Sequence, residues 1–585
     1  MSTYKTKDLV ENFDGFGGLD LSAPTGVGRF SVFKNFKLLP DGSAIKRNGF
    51  RYIASTEGEV RGEYAYSDGG EAVILSVIGA SLYRIPVCGG ETRHAEVFGT
   101  VSGSVKFFGV MGELYIYDGD RLYRYSGGCL AEGCEVYPPL YGKDWYSGHT
   151  AGKVNEPFNM LTPRIRISYK CNGELVSTLT VGLKIKSVDR MISDGTEVAS
   201  NLYSISSNKT QISCRDVYVL SELVVYLTVD SSEYKSEEFD RCGKADVFDA
   251  FNASRVFMYG GEEGGRFYVS APVSESEVSN AASVYGFTAP VYFPKSGGFA
   301  LAGTDKITAM KRVHDRMMIF SEHRAWVTSP LTDSEGVGRL GVILDPVSNN
   351  AGCASDGAVT LGDGVSPISV SFGGIYKWET DADFEDNIVL SKLSGRLGDS
   401  ADASFWRNAA ICFNRGENEI WFGNTASENG EVFVFNCESR AWYCYTDIFA
   451  DRFFEVGETV AFRHGDSIYA FVNGEEYDCY EWGEREIEAI IESAVFDFSA
   501  PERKKHISGA HVSCLLDGGV MVLELADGRS LAKVTLDELG VSEINNGVCF
   551  FDLRMRTGRC KRANFKITAG GKCRQRVFGV SFFAS

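Results

Sequence analysis

Helical periodicity is nearly absent from this chain of 585 residues. Runs of four to eight apolar or aromatic residues recur instead, separated by Gly, Asp-Gly and Asn, and that rhythm restricts the chain to an all-β architecture. The clearest hairpin reads Glu113-Leu-Tyr-Ile-Tyr-Asp-Gly-Asp-Arg-Leu-Tyr-Arg-Tyr125, in which Asp118-Gly119 is expected to supply the positive φ angles of a tight turn. Comparable pieces follow at Gly265-Arg-Phe-Tyr-Val-Ser270, Gly373-Gly-Ile-Tyr-Lys-Trp378, Asn418-Glu-Ile-Trp-Phe422 and Asp466-Ser-Ile-Tyr-Ala-Phe471. Their recurrence at roughly 40–50 residues is the spacing of propeller blades.

The recurrence is interrupted, so the propeller is expected to be discontinuous. Residues 1–55 read as an N-terminal extended segment and 56–149 as the first blades. Residues 150–245 carry polar, alternating strands such as Arg164-Ile-Arg-Ile-Ser-Tyr169 and read as an inserted β-sandwich-like domain. Blades resume over 246–492, and 493–585 reads as a C-terminal β-sandwich-like domain.

Charge is distributed unevenly. The formal net charge of −19 divides into −24 over residues 1–492 and +5 over 493–585. Thirteen acids against three arginines lie in residues 447–492, whereas residues 553–585 hold nine bases and no acid. Overall acidity argues against a tight duplex-DNA binder, which gains its affinity by neutralising phosphates. The opening Met1-Ser-Thr-Tyr-Lys-Thr-Lys-Asp-Leu lacks the apolar core of a signal peptide, and no run approaches the ~18 apolar residues of a membrane span. Fifteen cysteines without a secretory signal are expected to be reduced, buried thiols.

Motifs that carry chemistry are weak. There is no Gly-x-Ser-x-Gly elbow, no Walker loop and no His-Glu-x-x-His pair. Gly336-Val-Gly338-Arg-Leu-Gly341 matches the dinucleotide fingerprint in letters only, since no strand precedes it and no helix follows. Asp381-Ala-Asp-Phe-Glu-Asp-Asn387 has Asp386 where a calcium loop needs glycine. Cys129 and Cys134 lack a second ligand pair at zinc spacing. No metal and no cofactor is expected. A pair of carboxylates placed for glycoside hydrolysis is the enzyme chemistry that the sequence leaves open.

Three stretches resemble the phage tail nozzle proteins, also called the tail tubular protein B family of short-tailed bacteriophages. The first is Phe33-Lys-Asn-Phe-Lys-Leu-Leu-Pro-Asp-Gly-Ser-Ala-Ile-Lys-Arg-Asn-Gly-Phe50. The second runs from Phe405-Trp-Arg-Asn408 through Asn418-Glu-Ile-Trp-Phe422 and Val432-Phe-Val-Phe-Asn436 to Arg440-Ala-Trp-Tyr443. A third match, Asp497-Phe-Ser-Ala-Pro-Glu-Arg-Lys-Lys505, is similar to the strand after the family's last blade. The resemblance implies a structural virion protein, not an enzyme, without cofactor or catalytic residues. It forms a ring of usually six copies at the end of a phage tail, assembled in the bacterial cytoplasm, through which genomic DNA leaves without specific binding. Its implied partners are other copies, an adaptor or connector ring, and tail fibre or tip proteins.

On that reading an acidic surface repels the passing duplex. The candidates for a lumen or tip are Glu475, Glu476, Asp478, Glu481, Glu484, Glu486 and Glu488. The candidates for a docking surface are Arg556, Lys561, Arg562, Arg574 and Arg576. The alternative is a receptor- or glycan-binding tail or neck component on a propeller scaffold.

Overall fold

A computed structural model describes residues 9–22, 30–88, 92–96, 103–110, 112–125, 160–161, 163–230, 237–249, 254–270, 291, 293, 298–301, 305–331, 342–362, 364–380, 387–398, 407–528, 531–555 and 558–585. Gly336 to Gly341, Asp381 to Asp386, Cys129, Cys134 and Arg556 lie outside the described residues.

The chain is all-β, and seven of its sheets form a discontinuous propeller. Their innermost strands are Val60–Asp68, Lys106–Val110, Lys244–Phe248, Ile307–Val313, Val359–Gly362, Ala409–Asn414 and Arg452–Val456. Each packs against the next, and the last returns to the first. We number the blades one to seven in that order.

Closure depends on a distant strand. Blade seven takes three strands from Arg452–Val456, Thr459–His464 and Ser467–Phe471, and its outer strand is Phe50–Ser55, paired Phe471↔Phe50 to Ser467↔Ser55. From Ser55 the chain passes directly to the inner strand of blade one, so both ends of the propeller's sequence are pinned in one sheet. The expected N-terminal segment of 1–55 is therefore divided, part of it belonging to a blade.

The aromatic content packs blade against blade. Trp421 of blade six meets Phe453 and Phe471 of blade seven edge-on, at 6.3 and 4.6 Å between centroids. Tyr64 of blade one stacks on Phe107 of blade two, and Phe320 of blade four meets Trp378 of blade five. Such pairs add about 0.5–1.5 kcal/mol each beyond the area they bury.

Between blades two and three the chain builds a separate sandwich. One sheet holds Arg164–Lys170, Glu222–Val229, Ile185–Ser193 and Thr196–Glu197, the other Glu174–Thr180, Gln211–Val219 and Tyr203–Ile205. Alternation along these strands puts Ile165, Tyr169, Val176, Ile212 and Leu223 into a core of its own.

The terminal sandwich joins both ends of the chain. One sheet runs Phe36–Leu38, Ala44–Lys46, Arg576–Ala584, Ile507–Leu515, Val548–Arg554 and Glu543–Asn545, with Leu9–Phe13 also on Arg576–Ala584. The other runs Phe30–Lys34, Ala489–Ser493, Asn564–Gly570, Val520–Ala526 and Leu531–Leu536, and it continues into blade six through Trp442–Tyr445. Phe13, Phe30, Phe496, Phe565 and Phe582 fill the space between them.

The 113–125 hairpin differs from its expected turn. Tyr117 pairs with Leu122, leaving a loop of four residues in which Gly119 has positive φ. The Asp118 carboxylate instead accepts the N–H groups of Asp120 and Arg121 at 2.9 and 2.7 Å. Aspartate shapes this loop through its side chain.

Candidate functional site

The first two stretches singled out by their resemblance meet at one buried junction between the terminal sandwich and blades six and seven. Asn35 occupies the left-handed region at φ 54°, a conformation that asparagine tolerates better than most residues. Its Nδ2 donates to Thr446 Oγ1 and the Glu488 carbonyl at 2.9 and 2.8 Å, and its Oδ1 accepts from Arg47 Nε at 3.0 Å. Arg47 reaches Asp478 with both terminal nitrogens, at 2.8 and 2.7 Å, and also donates to the Asn48 and Thr446 carbonyls. Both side chains of this pair are 2% exposed. Burial pulls the Asp478 carboxyl upward, and the neighbouring guanidinium pulls it back.

Gly49 is required by close approach. A Cβ there would lie 1.9 Å from the Tyr477 carbonyl oxygen, whereas glycine lets Gly49 N–H donate to the Glu475 carbonyl at 2.8 Å. Lys46 sends its ammonium to the Gly571 carbonyl at 2.6 Å, and burial pushes its pKa down. Asp41 folds the intervening turn by accepting from Ser43 N–H and Oγ at 3.1 and 2.6 Å.

The second stretch forms the adjoining wall. Glu419 is buried in blade six and accepts from Trp421 Nε1 at 3.0 Å and from the Tyr443 hydroxyl. Burial pushes its carboxyl up to about 7, a value suited to general acid chemistry. It lines a cavity of about 40 Å³ together with Lys37, Glu417, Asn414 and Glu458. The buried Asn414 Oδ1 has no hydrogen-bond partner among the described residues. That space is sufficient for a water to bridge these groups and too small for a sugar ring.

A second polar cluster sits at the propeller's hub. Lys311 Nζ of blade four lies 2.8 Å from Asp246 of blade three. The Tyr259 hydroxyl donates to Asp246 at 2.9 Å and lies 3.3 Å from Asp356 Oδ1. Glu455 of blade seven accepts from Phe413 N–H of blade six at 2.8 Å and from the Thr360 hydroxyl of blade five. Burial raises the pKa of Asp246; it also opposes the charge on Lys311, but Asp246, Asp356 and Glu455 together offset this and the lysine pKa rises. An ion pair thus ties blade three to blade four, and the Glu455 carboxylate ties blade seven to blades six and five.

The acidic candidates separate into two groups. Asp478 and Glu475 are buried, Asp478 against Arg47 and Glu475 against Arg51, so neither belongs to a lumen or tip surface. Burial of a carboxylate requires a partner, and each has one supplied from the N-terminal part of the chain, Arg47 or Arg51. Glu481, Glu484, Glu486 and Glu488 are exposed and Glu476 is half-buried. The hairpin formed by Tyr477–Tyr480 and Gly483–Glu486 packs on Phe50–Ser55, the outer strand of blade seven. These acids therefore lie at the propeller's rim, away from its axis.

The basic candidates divide as well. Lys561 and Arg562 are exposed where Lys505 bridges Cys560. Arg574 and Arg576 lie at the other end of the sandwich, beyond the strand Asn564–Gly570, and Arg576 is tied to Asp41. Seven residues of strand separate the two pairs by about 20 Å, so they do not form one docking surface.

No family model matches the chain, and no curated protein does. Among solved structures it is similar to the exo-β-1,3-galactanase of Phanerochaete chrysosporium, at 8% identity and a TM-score of 0.23, covering 58% of this chain and 95% of that one. It is similar to PorZ, an essential surface component of the type-IX secretion system of Porphyromonas gingivalis, at 11% identity and a TM-score of 0.30, over 86% of this chain and 48% of PorZ. A third is a family 43 arabinoxylan arabinofuranohydrolase from Bacillus subtilis, at 10% identity and a TM-score of 0.19, over 58% and 78% of the two chains. Two of these three are glycoside hydrolases, so the expectation that the chain is not an enzyme is withdrawn. Likeness at this level carries no activity over to it.

Proposed function

We propose that the chain is a structural subunit of a phage tail nozzle, a ring of usually six copies through which genomic DNA leaves. The observation that carries this reading is the junction at Asn35, Arg47 and Asp478. Beside it the first two stretches quoted for the nozzle resemblance, 380 positions apart, meet through the ion pair of Lys37 and Glu417, while Arg47 of the first stretch holds Asp478. A ring under the internal pressure of a packaged genome needs its domains held rigidly, and a fully satisfied buried polar network supplies that rigidity.

A second reading, a receptor- or glycan-binding tail or neck component, is favoured by one feature of the inserted sandwich. Leu175, Tyr218 and Leu220 are exposed there, and Leu175 faces Tyr218 across neighbouring strands. An aromatic flanked by aliphatic side chains suits the apolar face of a sugar.

Antibody against the full chain, applied to phage particles from cells that carry its gene, tests both readings by electron microscopy. Label in a ring at the tail supports the nozzle. Label absent from particles overturns both readings, and tail label combined with loss of host-cell binding in Tyr218→Ala selects the second.

A further inference from the structure

The terminal sandwich carries a basic surface, four of whose five exposed bases have no ion-pair partner among the described residues. Lys505 is buried, and its ammonium donates to the carbonyls of Ala500 and Lys561 at 2.6 and 3.0 Å and to that of Asp497. This lysine and its backbone bridge to Cys560 clamp two segments side by side. Five exposed bases result: Arg503 and Lys504 from one segment, Arg559, Lys561 and Arg562 from the other. Only Lys561 has an ion-pair partner among the described residues, the Glu502 carboxylate at 3.2 Å.

A surface of opposite sign stands on the rim hairpin. Its turn presents Trp482, which is 73% exposed, with one face stacked on Tyr480 at 4.9 Å and 9° between planes. Exposed Glu481 is its neighbour in the chain, and exposed Glu486 and Glu488 lie farther along the segment that leaves the turn. Tryptophan is the residue most enriched at the energetic centres of protein interfaces, and its ring attracts guanidinium and ammonium groups.

The two surfaces cannot meet within one chain. Lys572 pairs with Glu484, which fixes the rim hairpin beside the Gly570 end of the strand Asn564–Gly570. The basic surface lies beyond the Asn564 end, about 20 Å away. Complementary patches held apart on one rigid body are satisfied by a neighbour, head to tail.

We propose that the Trp482 hairpin of one copy docks on the Arg503, Lys504, Arg559, Lys561 and Arg562 surface of the next. This deepens the ring reading and rests on it, by naming the contact that joins adjacent subunits. The contact is heterologous, so it closes into a ring or extends as a filament according to the rotation between copies. The overall charge of −19 disfavours nucleic acid as the occupant, because approach of a polyanion to the rest of the molecule is repulsive.

The test is sedimentation velocity of the full chain at about 50 μM and low salt. Wild type is expected to self-associate, and R503E/K504E/R562E and W482A are each expected to weaken association by about tenfold or more. E481K/E486K/E488K should weaken it similarly. Combining the two triple charge reversals should restore association, a result that misfolding does not give. Unchanged assembly in both reversals, or no recovery on combining them, overturns this contact while leaving the ring reading standing. A wild-type monomer overturns both. Binding of a duplex oligonucleotide that R503E/K504E/R562E abolishes, with self-association unaffected, assigns the basic surface to nucleic acid and overturns the proposal.

Discussion

Arg47 offers the sharpest perturbation of the junction. All five of its N–H donors are used: one on Asn35, two on the Asp478 carboxylate and two on the carbonyls of Asn48 and Thr446. Replacing it with methionine keeps much of the volume but leaves a carboxylate with 2% exposure uncompensated. Breaking one side of such a pair costs about 3–5 kcal/mol, whereas replacing both sides by apolar groups is close to neutral. R47M is therefore expected to destabilise by that amount and R47M/D478L by clearly less. The penalty should shrink at lower pH. Without the guanidinium, burial raises the Asp478 pKa further, so the folded state holds a proton that the unfolded state releases, and stability falls as pH rises. Because a chain of several domains need not unfold in one step, the local readout is hydrogen exchange at Phe50–Ser55 and Tyr477–Tyr480 in urea. A loss below about 1 kcal/mol for R47M, or an equal loss for the double variant, would refute the reasoning.

Glu419→Gln tests the other wall of the junction. A carboxyl raised from 4.5 to about 7 makes the folded state about 3 kcal/mol less stable at pH 8 than at pH 4, the loss falling between those two pKa values. E419Q should remove that part of the pH dependence, measured by urea titration across the range. Gly49→Ala drives a methyl into the Tyr477 carbonyl; a loss of at least about 2 kcal/mol is expected, read by thermal unfolding. Thiol labelling should modify the exposed Cys88 before Cys353 and Cys444, which are buried with pKa values pushed up to about 12 and stay protected until the chain unfolds.

The blades were legible because their signal is local. Runs such as Asn418 to Phe422 and Val432 to Asn436 carry the aromatic and β-branched residues of buried strands, and they lie in blade six as read. Closure was not legible. Phe50–Ser55 pairs with a strand more than 400 residues away, and such a pairing leaves no trace in its own neighbourhood. Burial of acids escaped for the same reason: Asp478 stands in a run of carboxylates that reads as solvated, while its partner Arg47 is 431 positions distant. Lys561 and Arg576 belong to one basic run, yet a strand carries them to opposite ends of a sheet. The Arg503 surface combines two segments brought together by Lys505, a lysine that sequence alone would assign to solvent.

The central claim is that this propeller and its terminal sandwich form one subunit of a tail ring. Cryo-electron microscopy of the purified full chain tests it most directly. The expected result is closed rings in which each Trp482 hairpin touches the Arg503 surface of its neighbour. Single, unassembled molecules at about 50 μM, or rings whose opening is lined by the basic surface, would contradict it.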